Sequence, residues 1–326
     1  MANGLQKIAF GPVPSRRLGR SLGVNNIPPK ICSYSCVYCQ LGRTRRFRAD
    51  RGRFYTPEEV FRDVAGKVRL ARERAEPPDY LTFVPDGEPT LDEDLEEEIR
   101  LLKGLGIRIA VISNASLMWD EEVQRALSGA DWVSLKVDAA SDDIWRRINR
   151  PHRKLERAKI MRGVRRFSDI FRGRLVTETM LVGGLNDGPE ELKRIASFIT
   201  EVGPARSYLS IPIRPPAESW VRPPMEDAVN RAFHIFREGG LDVECLTGYE
   251  GNAFVSTGKI EEDMLRITSV HPMRKDGVQR LLKGAQAGWD VIEKMLQEGV
   301  LVESSYRGHR FYMRRFRRPG RGRKRA

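Results

Sequence analysis

The sequence predicts an α/β fold of six strand–helix units, an open sheet or a partial barrel, followed by a small module of three helices and a hairpin. From Asp79 onward, short β-branched or apolar runs alternate with helical stretches, the pattern of right-handed crossovers and a parallel sheet. Polar and glycine-rich groups recur after those runs, at the carboxyl ends of the strands where such sheets hold their ligands. Past Gly251 the alternation stops and a different pattern begins.

A first strand is expected near Arg20 to Asn25, just before ICSYSCVYCQL at Ile31 to Leu41. Thr56-Pro57-Glu58-Glu59 is a capping box with proline at the first helical position, opening a helix that runs to about Glu76. The second strand, Asp79 to Pro85, is followed by Asp86-Gly87-Glu88-Pro89-Thr90 and a helix from Leu91 to Leu105. The third, Ile107 to Ser113, precedes Asn114 and a helix from Asp120 to Leu127; the fourth, Asp131 to Asp138, carries Lys136 and Asp138 and leads to a helix from Leu155 to Phe167. The fifth, Gly173 to Val182, ends in Gly183-Gly184-Leu185-Asn186 before a helix from Pro189 to Val202; the sixth, Arg206 to Ile213, ends in Arg214-Pro215-Pro216 before a helix from Glu226 to Gly239. Three short helices then follow, Ile260 to Ile267, Asp276 to Ala285 and Ala287 to Gln297, with Val300 to Glu303 and Arg310 to Met313 as a hairpin. That order suggests a winged-helix-like domain. The expected division is a core at 1–250, the winged-helix-like domain at 251–313 and a basic disordered tail at 314–326.

At 326 residues the chain can bury a core without staples. No basic, apolar, then small-residue leader opens it and no apolar run approaches the ~20 residues that span a bilayer, so a cytoplasmic protein with no membrane partner is expected. The formal net charge of +13 is localised. Ser15 to Arg53 holds ten Lys or Arg against one acid, and the tail from Arg314 adds eight with no acid. Such patches attract phosphates or other anions; a solvated surface and a solubilising tail are the plainer uses.

Three of the four cysteines, Cys32, Cys36 and Cys39, lie within eight residues. That crowding argues for metal or catalytic use rather than a disulfide framework. Structural zinc wants four closed ligands, and the only other thiol is Cys245, read as a buried strand cysteine; zinc with Cys245 stays open on counting alone. A [4Fe-4S] cluster held by three thiolates leaves one iron open to a substrate or cofactor.

Cys32-x-x-x-Cys36-x-x-Cys39, with Tyr38 before the last cysteine, resembles the signature loop of the radical S-adenosylmethionine (radical SAM) superfamily. The resemblance implies a partial (β/α)6 TIM-like barrel over about residues 10 to 245. It implies a [4Fe-4S] cluster on Cys32, Cys36 and Cys39 whose open iron chelates SAM. Reductive cleavage of SAM would yield methionine and a 5′-deoxyadenosyl radical, the electron coming from an external donor such as ferredoxin or flavodoxin. Gly87 and Glu88, with Pro89, are similar to the motif that meets the methionine amino group. Ser113, Asn114, Lys136 and Asp138 match positions that hydrogen-bond the ribose and carboxylate of SAM. Val182 and Gly184, with Gly183, resemble the turn that approaches the adenine, beside which Tyr38 would pack. No catalytic residue beyond the cluster ligands is implied.

Within the superfamily, GPVPSRRLGRSLGVN followed by ICSYSCVYCQLGRT resembles iron-sulfur oxidoreductases grouped with tRNA wyosine synthases. Those carry an upstream cysteine set for an auxiliary cluster, and this chain has no cysteine before Cys32. Arg16, Arg17 and Arg20 on one flank and Arg43 to Arg53 on the other would ring the barrel mouth, and guanidinium groups suit phosphate. The leading substrate is tRNA or another phosphate-bearing molecule. The alternatives are an activating enzyme that installs a radical on a protein partner, and a redox-sensing DNA-binding regulator.

Overall fold

The computed structural model describes residues 8–247, 259–270 and 272–315. The expected boundary at 250 and 251, and all but the first two residues of the basic tail, lie outside the described residues.

β1 (Ala9–Ser15) and β2 (Gly19–Val24) form an antiparallel hairpin, of which the sequence reading had only the second strand. β3 (Ile31–Cys32) and β4 (Arg46–Phe47) are two-residue strands that close the cysteine loop on itself. The capping box opens α1 (Pro57–Glu73) as expected: Glu59 N–H donates to Thr56 Oγ1 at 3.3 Å and Thr56 N–H to Glu59 Oε2 at 2.9 Å. Next come β5 (Tyr80–Phe83), α2 (Leu95–Lys103), β6 (Arg108–Ser113), α3 (Glu121–Ser128) and β7 (Trp132–Lys136). α4 (Asp142–Ile148), which the sequence reading missed, precedes α5 (Arg157–Ile170), β8 (Arg174–Met180) and α6 (Pro189–Val202). α6 has proline in its first turn and stops at Gly203, whose φ of 61° is left-handed, a conformation glycine adopts without penalty. β9 (Arg206–Ser210), α7 (Glu226–Glu238) and β10 (Val243–Leu246), the strand expected to carry Cys245, complete the first part.

The main sheet has eight strands in the order β1-β2-β5-β6-β7-β8-β9-β10. Only β1 is antiparallel; β2 to β10 run parallel in this order. The result is an α/β fold with a mixed central sheet flanked by helices, consistent with a partial barrel. Alternate residues face opposite ways. Leu22, Leu81, Phe83, Ile109, Val111, Val133, Leu135 and Leu209 pack outward in the large core with the helices, each contributing roughly 1.5–3 kcal/mol by burial. Ser21, Thr82, Ile112, Lys136, Glu178 and Ser210 line a cavity on the inner side. Val13 of one edge strand and Leu246 of the other line that same cavity.

The rest forms a separate core. α8 (Ile260–Val270), β11 (Met273–Arg274), α9 (Lys275–Gly284), α10 (Asp290–Gln297), β12 (Leu301–Tyr306) and β13 (His309–Arg314) give three helices and an antiparallel sheet of order β11-β13-β12. Met264, Ile267, Met273, Leu281, Ile292 and Tyr312 fill its centre, with Val13 of β1 packed against them. Lys67 of α1 pairs with Asp263 of α8 at 3.8 Å, both nearly fully buried, and Tyr306 Oη donates to Pro212 O at 2.9 Å.

Candidate active site

The cysteine loop is fastened at both ends and from beneath. Lys30 enters it at a φ of 64° and its N–H donates to Asp86 O at 2.7 Å. Ile31 bridges to Gly87 and accepts Glu88 N–H at 3.2 Å. A Cβ on Gly87 would stand 1.9 Å from Ile31 O, so glycine is required there because the loop backbone passes directly over it. Val37 N–H donates to Ile148 O at 2.9 Å and Ser35 N–H to Asn149 O at 3.0 Å. The three thiols are half-buried. Two of them accept from asparagine amides: Asn114 Nδ2 lies 3.5 Å from Cys32 Sγ and Asn149 Nδ2 lies 3.5 Å from Cys36 Sγ.

Glu88 and Asp138 are the hubs around this loop. Glu88 Oε1 accepts from Thr90 N, Thr90 Oγ1 and Ser113 Oγ, and Oε2 accepts from Asn114 N at 2.7 Å. Its carboxylate therefore ties the loop after β5 to the end of β6. Asp138 accepts from Tyr38 Oη, from Asn149 Nδ2 at 2.7 Å and from Met180 N at 2.9 Å, which locks Tyr38 and Asn149 in place. Lys136 Nζ donates to Glu178 Oε1 at 3.1 Å and lies 5.1 Å from the Tyr38 ring centroid, a cation–π distance. Val182 is buried and its N–H is held by Asn186 Oδ1 at 2.8 Å. Gly184 is exposed with a φ of 72° and open space at its Cβ position, so its glycine is explained by the turn. Glu88, Ser113, Asn114 and Asp138 thus gather at the cysteine loop through direct hydrogen bonds, and Lys136 joins them over Tyr38.

A cavity of about 310 Å³ opens beside Tyr38, Cys39 and Gln40 and runs down the inner face of the sheet. Inside it Arg17, from the β1–β2 turn, pairs with Glu178, its guanidinium 5.9 Å from the Trp132 ring and 5.7 Å from Tyr208. Sequence reading missed Glu178, Asn149 and the inward reach of Arg17. Glu178 carried a signal, as the one acid within the strand LVTETM. Asn149 carried none, because its role depends on α4 ending beneath the cysteine loop. Cys245 lies on β10 as expected, half-buried rather than buried.

The electrostatics follow from burial. Desolvation pushes all three thiols up, Cys36 to about 12 with Asp138 adding to the rise. Such thiols lose their protons in favour of a cation that binds them. Burial also works against the charges of Glu178 and Lys136, yet their attraction outweighs it. Arg17 helps Lys136 to hold the Glu178 carboxyl far below the usual range, and Glu178 and Asp138 raise Lys136. Both stay ionised.

The donor set fits an iron-sulfur cluster: three thiols with amide N–H groups aimed at two of them, a tuning device for cluster sulfurs. Among the described residues, no three His, Cys, Asp or Glu side chains converge as the ligands of a single metal ion. A polynuclear cluster asks for something different, one thiolate per iron.

Several arginines of the basic flank form ion pairs within the chain. Arg43 grips Glu218 with two bonds of 2.8 Å, and Arg150 joins it at 2.5 Å. Arg51 pairs with Glu122 at 2.8 Å, Arg53 with Asp94 at 3.3 Å, and Arg20 with Asp79 at 3.7 Å.

The family model of the radical SAM superfamily matches residues 26–199. The chain belongs to the radical SAM superfamily. The radical SAM match spans the cysteine loop, the Gly87-Glu88 turn, Asn114 and the strands that carry Lys136 and Glu178. A UPF0026 protein of Methanocaldococcus jannaschii is 46% identical over 309 residues, 94% of this chain and 96% of that one. A UPF0026 protein of Helicobacter pylori is 36% identical over 245 residues, covering 73% of this chain and 76% of the relative. In fold, the chain is similar to a radical SAM methyltransferase from Sphaerobacter thermophilus, with a TM-score of 0.53 and 18% identity over 72% of this chain and 69% of that structure. This radical SAM enzyme has no helix, among its described residues, long and apolar enough to cross a membrane.

Proposed function

We propose that the chain holds a [4Fe-4S] cluster on Cys32, Cys36 and Cys39, binds SAM beside it, and acts on tRNA or another phosphate-bearing substrate. The observation that carries this reading is the continuity of the thiol loop with the inner cavity: Tyr38 and Cys39 line it together with Lys136 and Glu178. Cluster and SAM together would supply one-electron cleavage of SAM and a 5′-deoxyadenosyl radical, fed by an external donor such as ferredoxin or flavodoxin. The chain's own residues place and shield. Ser113 and Asn114, set by Glu88, and Tyr38, set by Asp138, face SAM. Lys136 meets its carboxylate, Gly87 lets the turn that meets the amino group sit directly under the cysteine loop, and Val182 and Gly184 flank the adenine. The sheet excludes water from the reacting carbon.

The first 250 residues are proposed as the radical SAM core, 251–313 as a winged-helix-like domain and 314–326 as a basic tail. With no cysteine before Cys32, the proposed place is near the wyosine synthases but without an auxiliary cluster. Anaerobically reconstituted protein given dithionite and SAM is expected to release methionine and 5′-deoxyadenosine, and Cys36→Ala to abolish both together with iron binding. An intact cluster that never cleaves SAM would overturn the enzymatic reading and favour the sensor.

A further inference from the structure

Asn149 touches the cysteine loop, yet nothing in the SAM-binding set uses it. It is buried at the end of α4, where its backbone closes the helix and takes up the loop: its N–H donates to Trp145 O at 2.9 Å and its C=O accepts Ser35 N–H at 3.0 Å. Those contacts survive a change of side chain. The side chain has a separate part, because the single nitrogen Nδ2 lies 2.7 Å from Asp138 Oδ2 and 3.5 Å from Cys36 Sγ.

Both neighbours of that nitrogen are acceptors. A carboxylate has no hydrogen to give, and a thiol bound to iron has lost its own. An amide nitrogen carries two hydrogens on one atom, so asparagine serves both acceptors at once, whereas aspartate of the same shape would turn oxygens towards them. Tyr38 does not take its place, since the one hydrogen of its hydroxyl goes to Asp138. Met180 N–H pins the other oxygen of Asp138 at 2.9 Å. The carboxylate thus fixes which way the amide faces and aims its second N–H at Cys36.

Such a bond favours the reduced state. One electron from the external donor adds one negative charge, shared among the sulfurs, and hydrogen bonds to charged acceptors are about twice as strong as neutral ones. Hydrogen bonds to cluster sulfurs help to set the reduction potential, and removing one makes reduction harder. Asn114 also reaches a thiol, Cys32, but the same nitrogen serves Ser33 Oγ at 3.0 Å and the residue faces SAM in the reading above. Substituting Asn114 would disturb two functions, and substituting Asn149 isolates one.

Resting on the radical SAM reading above, we propose that Asn149 is a positioning residue, oriented by Asp138, whose amide bond to Cys36 raises the reduction potential of the [4Fe-4S] cluster. The test is a redox titration of the anaerobically reconstituted full chain, followed by electron paramagnetic resonance of the reduced cluster, for wild type, Asn149→Leu and Asn149→Asp. Leucine keeps the branched shape without a donor, and aspartate replaces the donor by an acceptor. At iron and sulfide contents equal to those of the wild type, each variant should lower the reduced-to-oxidised ratio at the wild-type midpoint by about threefold or more. After exchange into deuterium oxide, the wild type should show a deuteron coupled to the reduced cluster that both variants lose. An unchanged or higher midpoint in a loaded variant overturns the proposal, as does a deuteron coupling that both variants retain. Where one variant assembles no cluster, the other decides; if neither does, Asn149 serves loop assembly and the tuning role is overturned. SAM cleavage on the same preparations separates the two readings. Cleavage by the wild type with unshifted variants removes the tuning role alone, shifted midpoints without cleavage remove the radical chemistry alone, and a wild type that holds no [4Fe-4S] cluster removes both.

Discussion

Gly87→Ala tests whether the Gly87-Glu88 turn and the cysteine loop are one mechanical unit. The added Cβ would sit 1.9 Å from Ile31 O, 2.7 Å from Ile27 Cδ1 and 3.0 Å from Ile31 C. Ordinary contact begins near 3.4 Å, so the Ile31 carbonyl must retreat by about 1.5 Å. Backbone cannot swing aside as the tip of a side chain can. The retreat breaks the Glu88 N–H bond to Ile31 O, 3.2 Å long, and the Ile31–Gly87 bridge. Overpacking costs about 1–3 kcal/mol and the lost hydrogen bond about 1 kcal/mol more, a total near 2–4 kcal/mol. Because Ile31 precedes Cys32, the first thiol moves with it. Urea unfolding of the apoprotein should show the stability loss, and iron and sulfide content after anaerobic reconstitution should fall well below that of the wild type. Wild-type midpoint and full iron loading in Gly87→Ala would refute the coupling.

Other perturbations probe different parts of the structure. Glu178→Gln leaves Arg17 and Lys136 without their carboxylate and should cost about 3–5 kcal/mol at pH 7, read by urea denaturation. Since the Glu178 carboxyl is held below its ordinary value of about 4.3, its contribution is complete above that pH and lost below it; the variant should therefore lose less stability than wild type between pH 5 and pH 3. Glu98 presents the opposite sign, because burial and then the Asp92 charge push its carboxyl well up. Glu98→Gln should raise the melting temperature at pH 8, by the equivalent of about 1–3 kcal/mol, with the gain fading as the pH falls towards 4; equal effects at both pH values would count against a buried ionised carboxylate. Lys67→Met removes the ammonium that pairs with buried Asp263 and should lower stability, seen as faster hydrogen exchange in residues 259–270, while unchanged exchange would argue that the two cores dock without this pair.

The strand–helix alternation, the capping box before α1 and the hairpin near the C-terminus were all legible in the sequence, because each rests on local periodicity or a few neighbouring residues. β1 was not. Its sequence, AFGPVPS, carries two prolines and reads as a breaker-rich loop; it owes its strand character to the neighbour it pairs with. Asn114 and Asp138 were legible as polar groups following strands, but Asn149 was not, since what matters is that α4 delivers its amide to Cys36 and Asp138.

By itself, the sequence determined the donor chemistry: three thiols within eight residues, on a chain whose alternation places them after the first parallel strand. Only the tertiary structure decided how the charge is used. Opposite charges far apart in sequence neutralise one another only once folding brings them within a few ångströms, where a low dielectric makes pairing decisive. Thus Arg43, Arg51, Arg53 and Arg20 of the flank settle onto Glu218, Glu122, Asp94 and Asp79, and Arg17, indistinguishable from its neighbours in sequence, turns inward to Glu178 at the heart of the cavity.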